Sequence, residues 1–523
     1  MITLLDYGAG NVRSVVNAIE SLGERVQTAR RAEDILSAEK LVFPGVGAFG
    51  NMMQILAARQ FLTPLSEYLK SGRPFLGICL GMHALFESSE ESLGTKGLGL
   101  FKGRVKRFTT DLAVPHIGWN GIQIKQPSRL FQGLRGDEKF YFVHSYHVVP
   151  AEEDVILTTT DYGYEFVSAV QRGAIIGTQY HPEKSGTTGL RLLRNFLDTS
   201  LSPIQLRQGA KKTRLAKRII ACLDVRTNDR NDLVVTKGDQ YDVRQEGEVR
   251  NLGKPVELAQ RYYEEGADEI TFLNITGFRD FPLEDMPMLE VLRQTSRKVF
   301  VPLTIGGGIR NYTDANERCY SALEVAAEYF RSGADKISIG SDAVRVVEDY
   351  LQTGKATGTS AIEEISRVYG SQAVVISIDP RRVYVDAPDA VPHVVIPTRF
   401  PGPRGENYCW YQCTINGGRE GRPVDAVTLA RVCQTLGAGE ILLNCIDRDG
   451  TNSGFDLELI QAVKSAVTIP VIASSGAGAA EHFLEVFART NVESALAAGI
   501  FHRREVPIQS VKEHLRDKVE IRS

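Results

Sequence analysis

Cys79 stands in Gly77-Ile78-Cys79-Leu80-Gly81, between an apolar run that starts at Phe75 and a helical pattern through Ala84, Leu85 and Phe86. Glycines two places to either side let the backbone turn sharply and crowd close to the sulfur. This is the layout of a nucleophile elbow, which lifts one side chain out of a sheet. The N–H groups at a helix start favour a thiolate there. Taken alone, the pentapeptide is as often a small buried cysteine in a turn. Tyr180-His181-Pro182-Glu183 follows a second strand-like run, 174–179. A histidine there can take a thiol proton while Glu183 orients the imidazole. His-Pro-Glu by itself is usually a surface turn; paired with the elbow it points to acyl transfer. Pro44-Gly45-Val46-Gly47 ends a third strand-like run, and such a glycine-rich end leaves backbone N–H groups free to face a ligand oxygen. Its plainer reading is a tight turn.

The elements that must position these groups follow from hydrophobic pattern. Strands are expected at Ile2–Leu5, Leu41–Phe43, Phe75–Ile78 and 174–179, with a helix from about Val12 to Leu22. That order predicts a doubly wound α/β sheet with its site at the carboxyl ends of strands. Short strands and turns fill roughly 99–170. Residues 1–200 therefore read as one domain and 201–217, with Lys211, Lys212, Arg214 and Lys217, as a solvated linker.

From Arg218 onward a strand-loop-helix rhythm repeats eight times, with strands near Ile219, Glu269, Val299, Lys336, Ala373, Glu440, Ile469 and Ser494. This predicts a (β/α)8 barrel over 218–523. The barrel repeats internally: Ile219–Asp224 matches Val374–Asp379, and Gly306-Gly307-Gly308 matches Ser475-Gly476-Ala477-Gly478. Asn274 likewise matches Asp449. Asp224 and Asp379 are read as ending opposite strands at the catalytic mouth, a general acid facing a general base. The alternative for either is a helix cap. The glycine-rich ends at Gly307, Gly308, Gly476 and Gly478, with Gly340-Ser341 and Ala498-Gly499 after the next strands, suit backbone contacts to phosphate. Two opposed sites imply a long substrate with a phosphate at each end.

The 523 residues carry a formal net charge of −3, which gives no sign of a nucleic-acid or membrane partner. No apolar run is long enough to cross a membrane. The chain opens on a strand, so no signal segment is expected before it. Seven scattered cysteines suit a reducing compartment, the cytoplasm, or the plastid stroma once a transit segment has been removed. Cys409 and Cys413 lack a second ligand pair nearby, so no metal is expected.

With these motifs in place, residues 1–200 resemble the class I glutamine amidotransferases. The resemblance implies Cys79 as nucleophile, His181 as base, Glu183 as its orienter and Gly45, Val46 and Gly47 as the oxyanion site. It also places His83 and Glu91 at the bound glutamine, although the family usually has Gln where this chain has His83. Residues 218–523 resemble the cyclase of the imidazole glycerol phosphate synthase family, through Arg218–Val225, Val235-Thr236-Lys237-Gly238, Gly306–Ile309, Gly333–Ile339 and Asp447–Thr451. Asp6–Asn11 fits the glutaminase of the same family, and the fused order is that of its single-chain form. The implied reaction releases ammonia from glutamine. The ammonia then converts a phosphoribulosyl-formimino aminoimidazole carboxamide ribonucleotide to imidazole glycerol phosphate and aminoimidazole carboxamide ribonucleotide. No metal or organic cofactor is implied. Lys237 would lie on a loop over the barrel mouth, and Arg218, Glu269, Lys336 and Glu440 would form a charged ring gating an ammonia tunnel. Stretches near 226–233, 311–321, 352–362 and 388–422 are longer than in separate-subunit members, and the last is expected to be an active-face loop. With both activities in one chain, a monomer is expected. A different glutamine-dependent synthase, or a non-enzymatic regulator of the same descent, are the alternatives; the intact triad and both aspartates argue against them.

Overall fold

The computed structural model describes every residue except Ala9, 205–213, 229–232, 237–243, 246–247, 250, 276–282, 284–285 and 523; of 244–245 and 248–249 only the backbone is described. The N-terminal sheet has a parallel half and an antiparallel half. Val26–Thr28, Ile2–Leu4, Lys40–Gly45, Phe75–Cys79 and Ile175–Thr178 run parallel in that order, and Glu165–Arg172, Tyr146–Pro150 and Gly103–Arg107 continue antiparallel. The central parallel strands are short apolar runs buried on both faces, as parallel sheets require. Helices Val12–Ser21, Phe49–Ala58 and Gly186–Leu197 cover them.

The second sheet closes on itself. Arg218–Thr227, Glu269–Asn274, Leu303–Gly306, Lys336–Ile339, Val374–Ile378, Glu440–Asn444, Val471–Ser474 and Ser494–Ala497 pair in sequence, and the last returns to the first. All eight sequence-derived strands are found. The third starts at Leu303, not near Val299, because the ladder begins only where the Pro302 carbonyl accepts from Ile270 N–H. Asp224 also departs from expectation. Its strand runs on to Thr227 and turns back through Leu233–Thr236, opposite which Asp224 pairs with Thr236. Asp379 does stand directly after its strand.

The stretch 388–422 is not a loop. Pro380–Val385, Ile396–Pro397, Tyr408–Ile415 and Glu420–Asp425 form an antiparallel sheet. The alternation Tyr-Cys-Trp-Tyr-Gln-Cys-Thr-Ile puts Cys409, Tyr411 and Cys413 on one buried face of it. Its base is tied to the barrel, since Thr414 donates both its N–H and its hydroxyl to the Asp379 carbonyl.

The N-terminal half docks on the face of the barrel where the strands begin and the outer helices end. The terminal groups of those helices are the acceptors that docking satisfies. Asn11 Nδ2 donates to Gly333 O at 2.9 Å and Asp335 Oδ1 at 2.7 Å, and Asn17 Nδ2 to Ser296 Oγ at 2.9 Å. Ala48 N–H donates to Val368 O at 3.3 Å, beside the end of helix Ala361–Tyr369. Lys184 pairs with Asp335 at 2.7 Å, and Trp119 Nε1 donates to Asp268 O at 3.0 Å.

Candidate active site

The turn after strand Phe75–Cys79 holds Cys79 at φ +51°, ψ −104°, a conformation that costs a non-glycine residue energy. It persists because its neighbours permit no bulk. A Cβ on Gly77 would lie 2.6 Å from Gly81 O, and one on Gly81 would lie 2.1 Å from Phe43 O. The strand Ile175–Thr178 pairs in register with Phe75–Ile78, so the turn beyond it arrives beside the elbow. Through that pairing the structure brings together Cys79 and His181, about a hundred residues apart in the chain. His181 Nδ1 lies 2.8 Å from Glu183 Oε1, and both side chains are buried. Burial would lower the His181 pKa, but Glu183 and the Cys79 sulfur outweigh it and raise it to about 10. The imidazole therefore holds its proton at neutral pH.

Gly45, Val46 and Gly47 line the cavity beside Cys79 with His83 and Glu91. Gly45 sits opposite Cys79 in the sheet, and a Cβ there would be 2.5 Å from Leu80 Cβ. The Val46 carbonyl accepts from Tyr7 Oη at 2.6 Å. Glu91 also caps a helix. Its Oε2 accepts from Phe49 N–H at 2.9 Å, supplying the N-terminal partner that the Ala48 side chain cannot. Burial raises its pKa. His83 faces Gln179, with Nε2 2.9 Å from Oε1. A wider cleft of about 850 Å³ opens from here between the two halves, reaching Arg367, Gln372 and Gln434 of the barrel.

Arg218, Glu269, Lys336 and Glu440 form a closed square at the base of the barrel. Glu269 reaches Arg218 at 2.6 Å and Lys336 at 2.7 Å, and Glu440 reaches Lys336 at 2.6 Å and also Arg218. Glu269, Lys336 and Glu440 open the second, fourth and sixth strands. The eighth opens on Ser494, too short to reach inward, so Arg218 of the first strand fills that place and donates to Ser494 Oγ at 3.1 Å. All four charged side chains are fully buried. Burial would lower the Arg218 pKa, yet Glu440 and Glu269 raise it; Arg218 and Lys336 in turn hold Glu440 below the usual carboxylate range against its burial. Tyr141 ties this ring to the triad. Its carbonyl accepts from His181 N–H at 2.9 Å, and its ring is close enough to the charged square to feel Glu269 and Arg218.

Above the ring, strand periodicity decides what faces inward. On the first strand the inner face reads Arg218, Ile220, Cys222, Asp224: charge, then apolar, then carboxylate. Ile220, Cys222, Val375, Leu442, Ile472 and Leu496 form an apolar cluster of their own. At the far end Asn444 Nδ2 donates to Asp379 Oδ1 at 2.8 Å. Gly307 and Gly308 take φ +93° and +78°, and Gly476 +95°. Among the described residues nothing crowds Gly308, and Gly340 heads helix Ser341–Thr353 with only Ser377 near, so backbone there is open to a ligand. Gly476 and Gly478 instead pack against the 452–454 turn; Ala498 and Gly499 begin the short helix beside them, and Asp449 is nearly buried. Lys237 lies outside the described residues. Tyr7 stands inside the Asp6–Asn11 match, but nothing in the sequence marks Tyr141 or Gln179 as site residues. Tyr141 and Gln179 lay inside runs read only as strands, where nothing local says which neighbour a side chain will meet.

A Cys-His-Glu site on such a sheet, docked under a (β/α)8 barrel, defines a glutamine-dependent synthase. Residues 3–199 match the family described as glutamine amidotransferase class-I, and residues 218–507 that described as histidine biosynthesis protein. The whole chain is 59% identical to imidazole glycerol phosphate synthase hisHF, chloroplastic, of Arabidopsis thaliana, covering 89% of that protein. It is 54% identical to imidazole glycerol phosphate synthase hisHF of Schizosaccharomyces pombe, over 98% of each chain. The protein of that name from Emericella nidulans is 54% identical over 99% of this chain and 98% of its own. The chain belongs to the imidazole glycerol phosphate synthase family in its fused form, an enzyme of histidine biosynthesis with glutaminase and cyclase in one polypeptide.

Proposed function

We propose that Cys79 attacks the side-chain amide carbon of glutamine. His181 then passes its proton to the departing ammonia and leaves a thioester that water cleaves to glutamate. The carbonyl oxygen needs a donor at Gly45–Gly47, which a turn of the Val46–Gly47 peptide supplies. Residues 1–200 do this work, 201–217 tie the halves together, and 218–523 use the ammonia. It crosses the square of Arg218, Glu269, Lys336 and Glu440 and the apolar layer above it, a route that keeps it from being protonated by water. At the mouth it condenses with the carbonyl of the phosphoribulosyl-formimino substrate. Asp379 and Asp224 move protons while the imine forms, the chain is cleaved and the imidazole ring closes. The Gly308 and Gly340 backbone holds one phosphate and the repeat-related Gly476 and Gly499 side the other, with Asp449 and Lys237 on the body of the substrate.

The single observation behind this reading is the stacking of charged square, apolar layer and Asp224 up the barrel, with Tyr141 joining the square to the triad below. A monomer acting in the cytosol or plastid stroma completes it: both sites are in one chain, all seven cysteines are free, and the Arabidopsis relative is named chloroplastic. The test is cyclisation with glutamine against cyclisation with ammonium salt. Cys79→Ala should lose the first and keep the second; loss of both would refute the division of labour.

A further inference from the structure

Gln179 lies one residue beyond strand Ile175–Thr178, fully buried, with its backbone N–H bonded to Ser168 O at 2.8 Å. Its amide bridges two groups of the site. Nε2 is 3.4 Å from Cys79 Sγ, and Oε1 is 2.9 Å from His83 Nε2. Chemistry settles which way round the amide sits. His83 is buried, and burial lowers its pKa to about 4, so it is neutral with one N–H. Its Nδ1 has no hydrogen-bond partner among the described residues. A proton there would be an unpaired buried donor, whereas a proton on Nε2 is used by the Gln179 oxygen. With that oxygen occupied, the NH₂ group must face the sulfur.

We propose that Gln179 is a hydrogen-bond donor to the Cys79 sulfur, separate from the proton held by His181, and that His83 is the positioning residue that keeps its amide the right way round. This rests on Cys79 being the nucleophile. The two groups differ in kind. His181 gives its proton away to the leaving ammonia, whereas an amide never does. Gln179 therefore still faces the sulfur when water attacks the thioester and the thiolate departs, the moment at which negative charge returns to it. A neutral donor at fixed distance favours the anion in both steps and does little for the thioester between them. The other titratable groups around the sulfur are His181 with Glu183, Tyr7 behind Val46, and Glu91, His144 and Tyr146 across the cavity. Of these, His181 is near enough for the sulfur to raise its pKa, while Gln179 Nε2 is the side-chain donor at hydrogen-bond distance from Sγ among the described residues.

The test is alkylation of Cys79 by iodoacetamide in the full-length protein, read on the Cys79 peptide by mass spectrometry across a pH series. Gln179→Leu should slow alkylation near neutral pH about tenfold, the scale of one hydrogen bond to a charged group, and move the profile to higher pH. Glutamine hydrolysis should fall by at least as much. Gln179→Glu keeps the shape and cannot donate when ionised; it should behave the same way, and it decides the matter if Gln179→Leu also loses ammonia-dependent cyclisation through misfolding. His83→Leu should move the profile part of the way, while His83→Gln, which can still donate to the Gln179 oxygen, should restore the parent profile. An unchanged profile in Gln179→Glu with slower glutamine turnover would overturn the proposal and place Gln179 on the substrate. Failure of iodoacetamide to label Cys79 in the parent while glutaminase is lost would instead overturn the nucleophile itself.

Discussion

Cys79 carries backbone strain that only a crowded glycine setting can hold, and the ionic partner it meets is just as specific. The Glu183 carboxylate is the strongest influence keeping His181 protonated. Glu183→Gln removes that charge while keeping the hydrogen bond, so the His181 pKa should drop from about 10 toward its ordinary value, since only the Cys79 sulfur then opposes burial. Glutamine hydrolysis should fall roughly 10²–10⁴-fold, and a dependence on pH near neutrality should appear where the parent has none from this group. The pH profile of glutamate release checks it. At the other end of the molecule, Asp379→Asn keeps the Asn444 contact shape but cannot exchange a proton. Cyclisation should drop by roughly 10²–10⁴-fold with either nitrogen source; an enzyme within a few-fold of the parent would remove Asp379 from the chemistry.

At the scale of elements, the antiparallel half of the N-terminal sheet encloses a line of buried histidines. His116 Nδ1 meets His144 Nε2 at 3.1 Å, and His147 Nε2 meets Tyr164 Oη at 2.7 Å, all around Phe108. Burial holds His116 and His147 down to about 3 and about 4, and His144 well below its ordinary value. Unfolded, each would take a proton near 6.5; folded, each refuses it. The unfolded chain thus binds more protons in this window, and stability falls as pH drops. The contribution is complete above about pH 6.5 and declines steadily toward about pH 4. Thermal unfolding followed by fluorescence of buried Trp119, beside the docking face, should show a midpoint that falls through this range. A flat midpoint between about pH 7 and 5 would mean the histidines are already charged in the fold.

For the whole molecule, the two proposed sites lie at opposite ends of one barrel, and a glutaminase held back until the far end is filled is the expected behaviour. Two bonds hold the stretch proposed as the oxyanion site: Tyr7 Oη to Val46 O within the N-terminal half, and Ala48 N–H to Val368 O of the barrel. Turning the Val46–Gly47 peptide breaks the first. Tyr7→Phe removes it at a cost of about 1 kcal/mol to the resting form, so glutamate release without acceptor should rise about five-fold. The measurement is glutaminase with and without a non-reactive substrate analogue, whose stimulation should shrink accordingly; an unchanged basal rate would show that this bond is not the restraint. The square of charges makes a second demand. Lys336→Ala leaves two buried carboxylates with one cation, a loss of roughly 3–5 kcal/mol locally. The ring should open to water, and more glutamate than imidazole product should appear, while cyclisation from ammonium salt changes less.

Much of this was written in local patterns. The elbow glycines around Cys79, the His181-Pro182-Glu183 turn and the eight barrel strands are each set by a handful of neighbouring residues, because turn sterics and strand periodicity act over short range. Even the inner face of the first strand, Arg218 to Asp224, follows from a period of two. Contacts between residues distant in the chain were decided only by the fold. Gln179 meets Cys79 because two strands pair in register. Tyr141 reaches from triad to ring because the halves dock on exposed helix ends. The 380–425 sheet was hidden for a related reason: its strands pair with one another across irregular loops, where length alone suggested a loop. Residue type and spacing set the chemistry available to this chain, while packing in three dimensions decided which groups share a proton, a charge or a path.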